Sequence, residues 1–104
     1  MKMKADIVPL ASLQVDLEKL ARMRDALFPP YKVILFNDDE NTMDYVVAAL
    51  LQAVHSLTLP EAERIMLTAH VTGSAVVVVC PKELAEYYQE RLLSYGLTAT
   101  IEPD

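Results

Sequence analysis

The chain has 104 residues, 53% of them apolar and 23% charged, which supports one folded domain and leaves too little sequence for two independent cores. A net charge of -6 argues against a basic face broad enough for nucleic acid. The two glycines, Gly73 and Gly96, lie too far apart for a P-loop or a dinucleotide fingerprint, and the single cysteine, Cys80, excludes an intrachain disulfide framework or a multi-cysteine zinc site. No apolar run approaches the ~20 residues of a membrane span, and the basic start at Lys2 and Lys4 meets Asp6 and Pro9 instead of a signal-peptide apolar stretch, so the expected compartment is cytoplasmic.

In chain order, Leu10, Leu13, Leu17, Leu20 and Leu27 fall on one stripe with charges between them, which predicts an amphipathic helix. Such a helix is either docked on the main domain or a half-ordered tail, against the functional alternative of a segment that engages a partner. Phe28-Pro29-Pro30 stops it, because proline disfavours helix in the residue before it. Residues 1–28 are therefore read as an N-terminal extension and residues 29–104 as the core domain.

Tyr31 to Phe36 is a β-branched and aromatic run, read as a strand. Asn37 to Thr42 is a polar loop. Met43, Val46, Val47, Leu50, Leu51 and Val54 then keep helical spacing, with Asn41 or Thr42 placed as the cap and His55 at the helix end. Thr58-Leu59-Pro60-Glu61 has the form of a capping box, opening a helix with Ala62, Ile65, Met66 and Ala69 on one face and Gly73 as its stop. Ser74 to Cys80 contains four consecutive valines, a pattern of burial on both faces that predicts a central strand. Pro81 suits the first turn of a further helix, carrying Leu84, Tyr88, Arg91, Leu92 and Tyr95 and closed by Gly96, and residues 97–102 read as a last strand. The expected fold is α/β: a two-layer sandwich in which a three-stranded antiparallel sheet carries helices on one face, in the order strand-helix-helix-strand-helix-strand.

Chemistry concentrates at Asn37, Asp38, Asp39, Glu40 and Asp44, with His70 on the second helix of the core. Four carboxylates within eight positions at a strand end also match plain turn chemistry and the preference of a helix N-terminus for negative charge. A calcium loop is not indicated, since the internal glycine and terminal glutamate of an EF-hand are missing. Cys80, after the valines, reads as a small buried apolar residue, although a Cys-His nucleophile pair stays open.

Tyr31-Lys32-Val33-Ile34-Leu35-Phe36-Asn37-Asp38-Asp39 with Met43-Asp44-Tyr45-Val46, then Ile65-Met66-Leu67, Ala69-His70, Gly73 and Ala75, resembles the signature of ClpS-type adaptors of the Clp protease. The resemblance runs from Pro29 to the C-terminus. It implies a non-enzymatic, monomeric protein without cofactor or metal, which binds proteins whose first residue is bulky and hydrophobic (an N-degron). It would deliver them to a AAA+ unfoldase of the ClpA or ClpC type, with no nucleic acid or membrane partner. By the same resemblance Asn37, Asp38, Asp39 and His70 would hold the N-terminal amine. Asn41, Thr42, Met43, Val46, Met66, Ala69 and Leu97 would form the side-chain pocket, and Glu83 and Tyr88 would lie on the unfoldase contact.

The residue types suit that task. An ammonium needs acceptors and negative charge, and its neighbouring side chain needs a dry cavity. The chain departs from the family at Glu40-Asn41-Thr42-Met43, where Tyr-Thr-Pro-Met is usual. It also departs at Ala69, where a larger β-branched residue is common, and at Tyr88, where lysine is usual. These changes imply a divergent member with altered selectivity among Leu, Phe, Tyr and Trp, Leu being expected over Trp. Two other readings compete: a small metal-binding or acid-base enzyme using the Asn37-Asp38-Asp39/His70 cluster, and a protein-interaction domain with no N-terminal pocket.

Overall fold

The computed structural model describes residues 10–104, with side chains described from residue 16 onward. The elements are α1 (Leu10–Leu27), β1 (Pro30–Phe36), α2 (Met43–Ala53), α3 (Leu59–Thr72), β2 (Ser74–Pro81), α4 (Lys82–Ser94) and β3 (Thr98–Pro103). The strands form one antiparallel sheet in the order β2-β1-β3. Strand side chains alternate between faces. Val33 and Leu35 of β1, Ala75 and Val77 of β2, and Ala99 of β3 point into the core against α2, α3 and α4. The opposite face is open, with Val76, Val79, Thr98, Thr100 and Glu102 exposed. The expected α/β layer arrangement is the observed one.

Local chemistry accounts for the boundaries. Thr42 caps α2, its hydroxyl accepting from the Tyr45 N–H at 3.1 Å. At α3 the capping box is complete: the Thr58 N–H donates to Glu61 at 2.9 Å while the Glu61 N–H returns to the Thr58 hydroxyl at 3.4 Å. Gly73 ends α3 at φ 99°, a left-handed backbone that L side chains resist. Helix α4 is tied to α2 by the Tyr45 hydroxyl donating to the Tyr95 carbonyl at 2.6 Å and by Arg91 donating to the Gln52 carbonyl at 2.8 Å.

Four expectations are corrected. The valine strand β2 is an edge and β1 is central. The four valines are not buried on both faces. Val33 pairs with Val78 and Ile34 with Val76, so Val77 is an extra residue on β2. This bulge lets Val77 and Cys80 both face the core while Val76 and Val79 remain 48% and 47% exposed. Second, α1 does not dock through its leucine stripe: Leu17, Leu20 and Leu27 are exposed, while Leu10 and Leu13 lie outside the described side chains. Third, α2 ends at Ala53 with Val54 as its cap, so His55 stands beyond the helix. Fourth, Leu84 is exposed, and the inward positions of α4 are Ala85 and Leu92, with Tyr88 packed beside them.

Candidate functional site

The fold brings the end of β1, residues 37–42, the start of α2 and the last turns of α3 around one cavity of about 270 Å³. Its lining contains Asn37, Asp38, Asp39 and His70, and also Asn41, Thr42, Met43, Val46, Met66 and Ala69. Helical spacing explains the convergence. Met43 and Val46 are three apart on α2, while Met66, Ala69 and His70 stand at i, i+3 and i+4 on α3. The two helices therefore contribute apolar walls, and the loop with the His70 imidazole contributes a polar rim.

One candidate falls elsewhere. Leu97 does not line the cavity; it is 2% exposed and belongs to the core. Leu35 and Phe36 do line the cavity and were missed. The available signal was their place as the last two residues of the strand that runs into the polar loop.

The loop has a defined internal order. Asp38 Oδ1 accepts from the Asn41 N–H at 2.8 Å and the Glu40 N–H at 3.0 Å, and its Oδ2 accepts from Asn41 Nδ2 at 3.1 Å. The Asn41 N–H above all holds the Asp38 carboxyl below its ordinary value. Slight burial works against this, and the Asn41 amide and the Glu40 N–H add to the lowering. Asp38 is thus a fixed negative charge at the cavity rim.

Among the described residues no group of three or more His, Cys, Asp or Glu side chains is arranged to hold a metal ion. Cys80 is buried beside the sheet, away from the cavity lining, and burial pushes its thiol up. A second hollow of about 320 Å³ lies where α1 meets the body, lined by Leu27, Phe28, Tyr31, Lys82 and Glu83 among others. Glu83 stands exposed in the first turn of α4, whereas Tyr88 gives part of its surface to the core. No helix of the described residues is long and apolar enough to cross a membrane.

Residues 27–100 match the family described as ATP-dependent Clp protease adaptor protein ClpS. The chain belongs to the ClpS family. It is 53% identical over 76 residues to the ClpS adapter of Synechococcus elongatus, spanning 73% of this chain and 80% of that protein. A chloroplastic ClpS adapter of Arabidopsis thaliana is 41% identical over 83 residues, spanning 80% of this chain and 52% of that one. Among solved structures, Agrobacterium tumefaciens ClpS2 bound to L-phenylalaninamide matches with a TM-score of 0.64 and 36% identity, covering 72% of this chain and 96% of that chain. A ClpS protein is an adaptor of the Clp protease and not an enzyme.

Proposed function

We propose that this ClpS protein binds the free N-terminus of proteins that begin with a bulky hydrophobic residue and delivers them to a AAA+ unfoldase of the ClpA or ClpC type. The observation that carries the reading is the two-sided cavity. Its rim of Asn37, Asp38, Asp39 and His70 offers acceptors and negative charge, and its walls of Met43, Val46, Met66 and Ala69 are apolar. An N-terminal residue presents those two demands together, an ammonium with three donors and one side chain beside it.

Size supports the same reading. Pockets for drug-sized ligands run to about 300–1,000 Å³, so 270 Å³ suits one side chain and a chain end better than a long peptide. Burying a Leu or Phe side chain contributes about 1.5–3 kcal/mol, and hydrogen bonds to a charged group about 1.5–3 kcal/mol each. Together these give binding of about micromolar strength. The solved relative bound to L-phenylalaninamide carries a ligand with a free amine beside an aromatic side chain, which accords with this chemistry.

In this reading residues 29–104 form the recognition core and residues 1–28 the extension used in delivery. The hollow beside Glu83, with the exposed Leu27 and Phe28, is the face offered to the unfoldase, in a cytoplasmic setting. A screen of peptides that differ only in their first residue tests the proposal. Leu, Phe, Tyr or Trp at the first position should bind, while Ala, Ser or Asp there should bind at least about tenfold more weakly. Indifference to the first residue would contradict it.

A further inference from the structure

The polar loop contains one side chain whose hydrogen-bonding capacity is spent on holding others in place. Asn41 Nδ2 donates to Asp38 Oδ2 at 3.1 Å and to the Gly96 carbonyl at 3.2 Å, 55 positions along the chain. Both partners are acceptors only, so the orientation of the amide is fixed and both of its hydrogens are committed. The Asn41 backbone N–H donates to Asp38 Oδ1, which also accepts from Glu40.

A carboxylate oxygen has two acceptor positions. Oδ1 of Asp38 is therefore filled by backbone, and Oδ2 keeps one position after Asn41 has taken the other. We infer that Asn41 is the positioning residue of the amine site: it aims the remaining lone pair of Asp38 at the ligand ammonium and anchors the loop to the turn between α4 and β3. The inference rests on the proposed N-terminal recognition.

The arrangement gives pre-organisation. Without the amide, Asp38 keeps only its Oδ1 bonds to the Asn41 and Glu40 N–H groups, and the direction of Oδ2 would have to be set on binding, which lowers affinity. The Gly96 bond adds a long-range restraint between the loop and the turn that follows α4. The other ionisable groups of this region are Asp39 and Glu40 in the loop, Asp44 in the first turn of α2, and His70, which lines the cavity from α3. The Asn41 N–H does most to lower the Asp38 carboxyl and survives in any side-chain variant; the Asn41 amide adds a smaller lowering, whose loss is a readout of its own.

The test compares the full chain with Asn41→Ala and with Asn41→Leu, which keeps similar bulk without the donors. Carbon NMR follows the Asp38 carboxyl in the free proteins. Calorimetry follows a peptide with a free N-terminal Leu, and circular dichroism checks folding. Both variants should fold, show an Asp38 midpoint displaced upward toward the ordinary carboxylate value, and bind the peptide about tenfold more weakly. An unmoved midpoint overturns the clamp. A raised midpoint with unchanged affinity overturns the positioning role. A native chain that binds no free-N-terminus peptide removes the underlying reading and the positioning role with it, and is recognised because the native protein itself fails.

Discussion

The Asn37 N–H donates to the Gly73 carbonyl at 3.0 Å, joining the first residue of the acidic loop to the left-handed stop of α3. Gly73 also begins the link into β2, so one residue ends the helix that carries Met66, Ala69 and His70 and fixes where the opposing rim starts. Gly73→Ala would place its Cβ in open space, so its cost is purely conformational. A left-handed L residue costs about 1–2 kcal/mol. Chemical denaturation should show a loss of about that size, and peptide affinity should fall with it as Asn37 is displaced.

Ala69 lines the cavity from α3 with 3% exposure. Ala69→Val should narrow the pocket and penalise wide first residues more than Leu. One methylene in an apolar pocket is worth about 10–200-fold, and discrimination against Trp relative to Leu should rise by at least about tenfold. Affinities for paired peptides measure this, and an unchanged Trp-to-Leu ratio would show that Ala69 does not set pocket width.

Acid should weaken the loop through Asp38. Its carboxyl titrates below its ordinary value of 3.8 in the folded protein, so its contribution is complete above that value and is lost as pH falls through the folded one. Peptide binding followed from neutral pH downward should therefore persist to below the ordinary carboxylate range at this group. Asp38→Asn should remove that lowest step and weaken binding already at neutral pH.

Among the described residues, those of helix α1 add none to the cavity lining, and Leu17, Leu20 and Leu27 are exposed. Removing residues 1–27 should leave peptide affinity unchanged while abolishing unfoldase-dependent degradation of an N-degron substrate in a reconstituted reaction. Loss of peptide binding on truncation would contradict that division of labour.

The site was more legible in the sequence than the sheet. Met43 with Val46, and Met66 with Ala69 and His70, repeat at helical spacing, so each pair or triplet had to share a face. The loop between strand and helix could only open at that end. The order of strands was not readable from composition. A valine run reports apolar character, and β2 is an edge whose bulge at Val77 shifts the alternation and leaves Val76 and Val79 in solvent. Leu97 illustrates a related point, since a position at a strand entry does not say which face the side chain takes. The Asn41 amide was equally hidden: its partner Gly96 comes from a turn far along the chain, and no local pattern announces a contact of that kind.

Isothermal titration of one Leu-initiated peptide, free and N-acetylated, tests the central claim most directly. Acetylation leaves the side chain intact while removing the charge and two donors that Asp38, Asn37 and His70 would meet. The account predicts about micromolar binding for the free peptide and at least about a hundredfold loss on acetylation, as acceptors that the ligand covers are left unpaired. Equal affinity for the two forms would contradict recognition of the chain end.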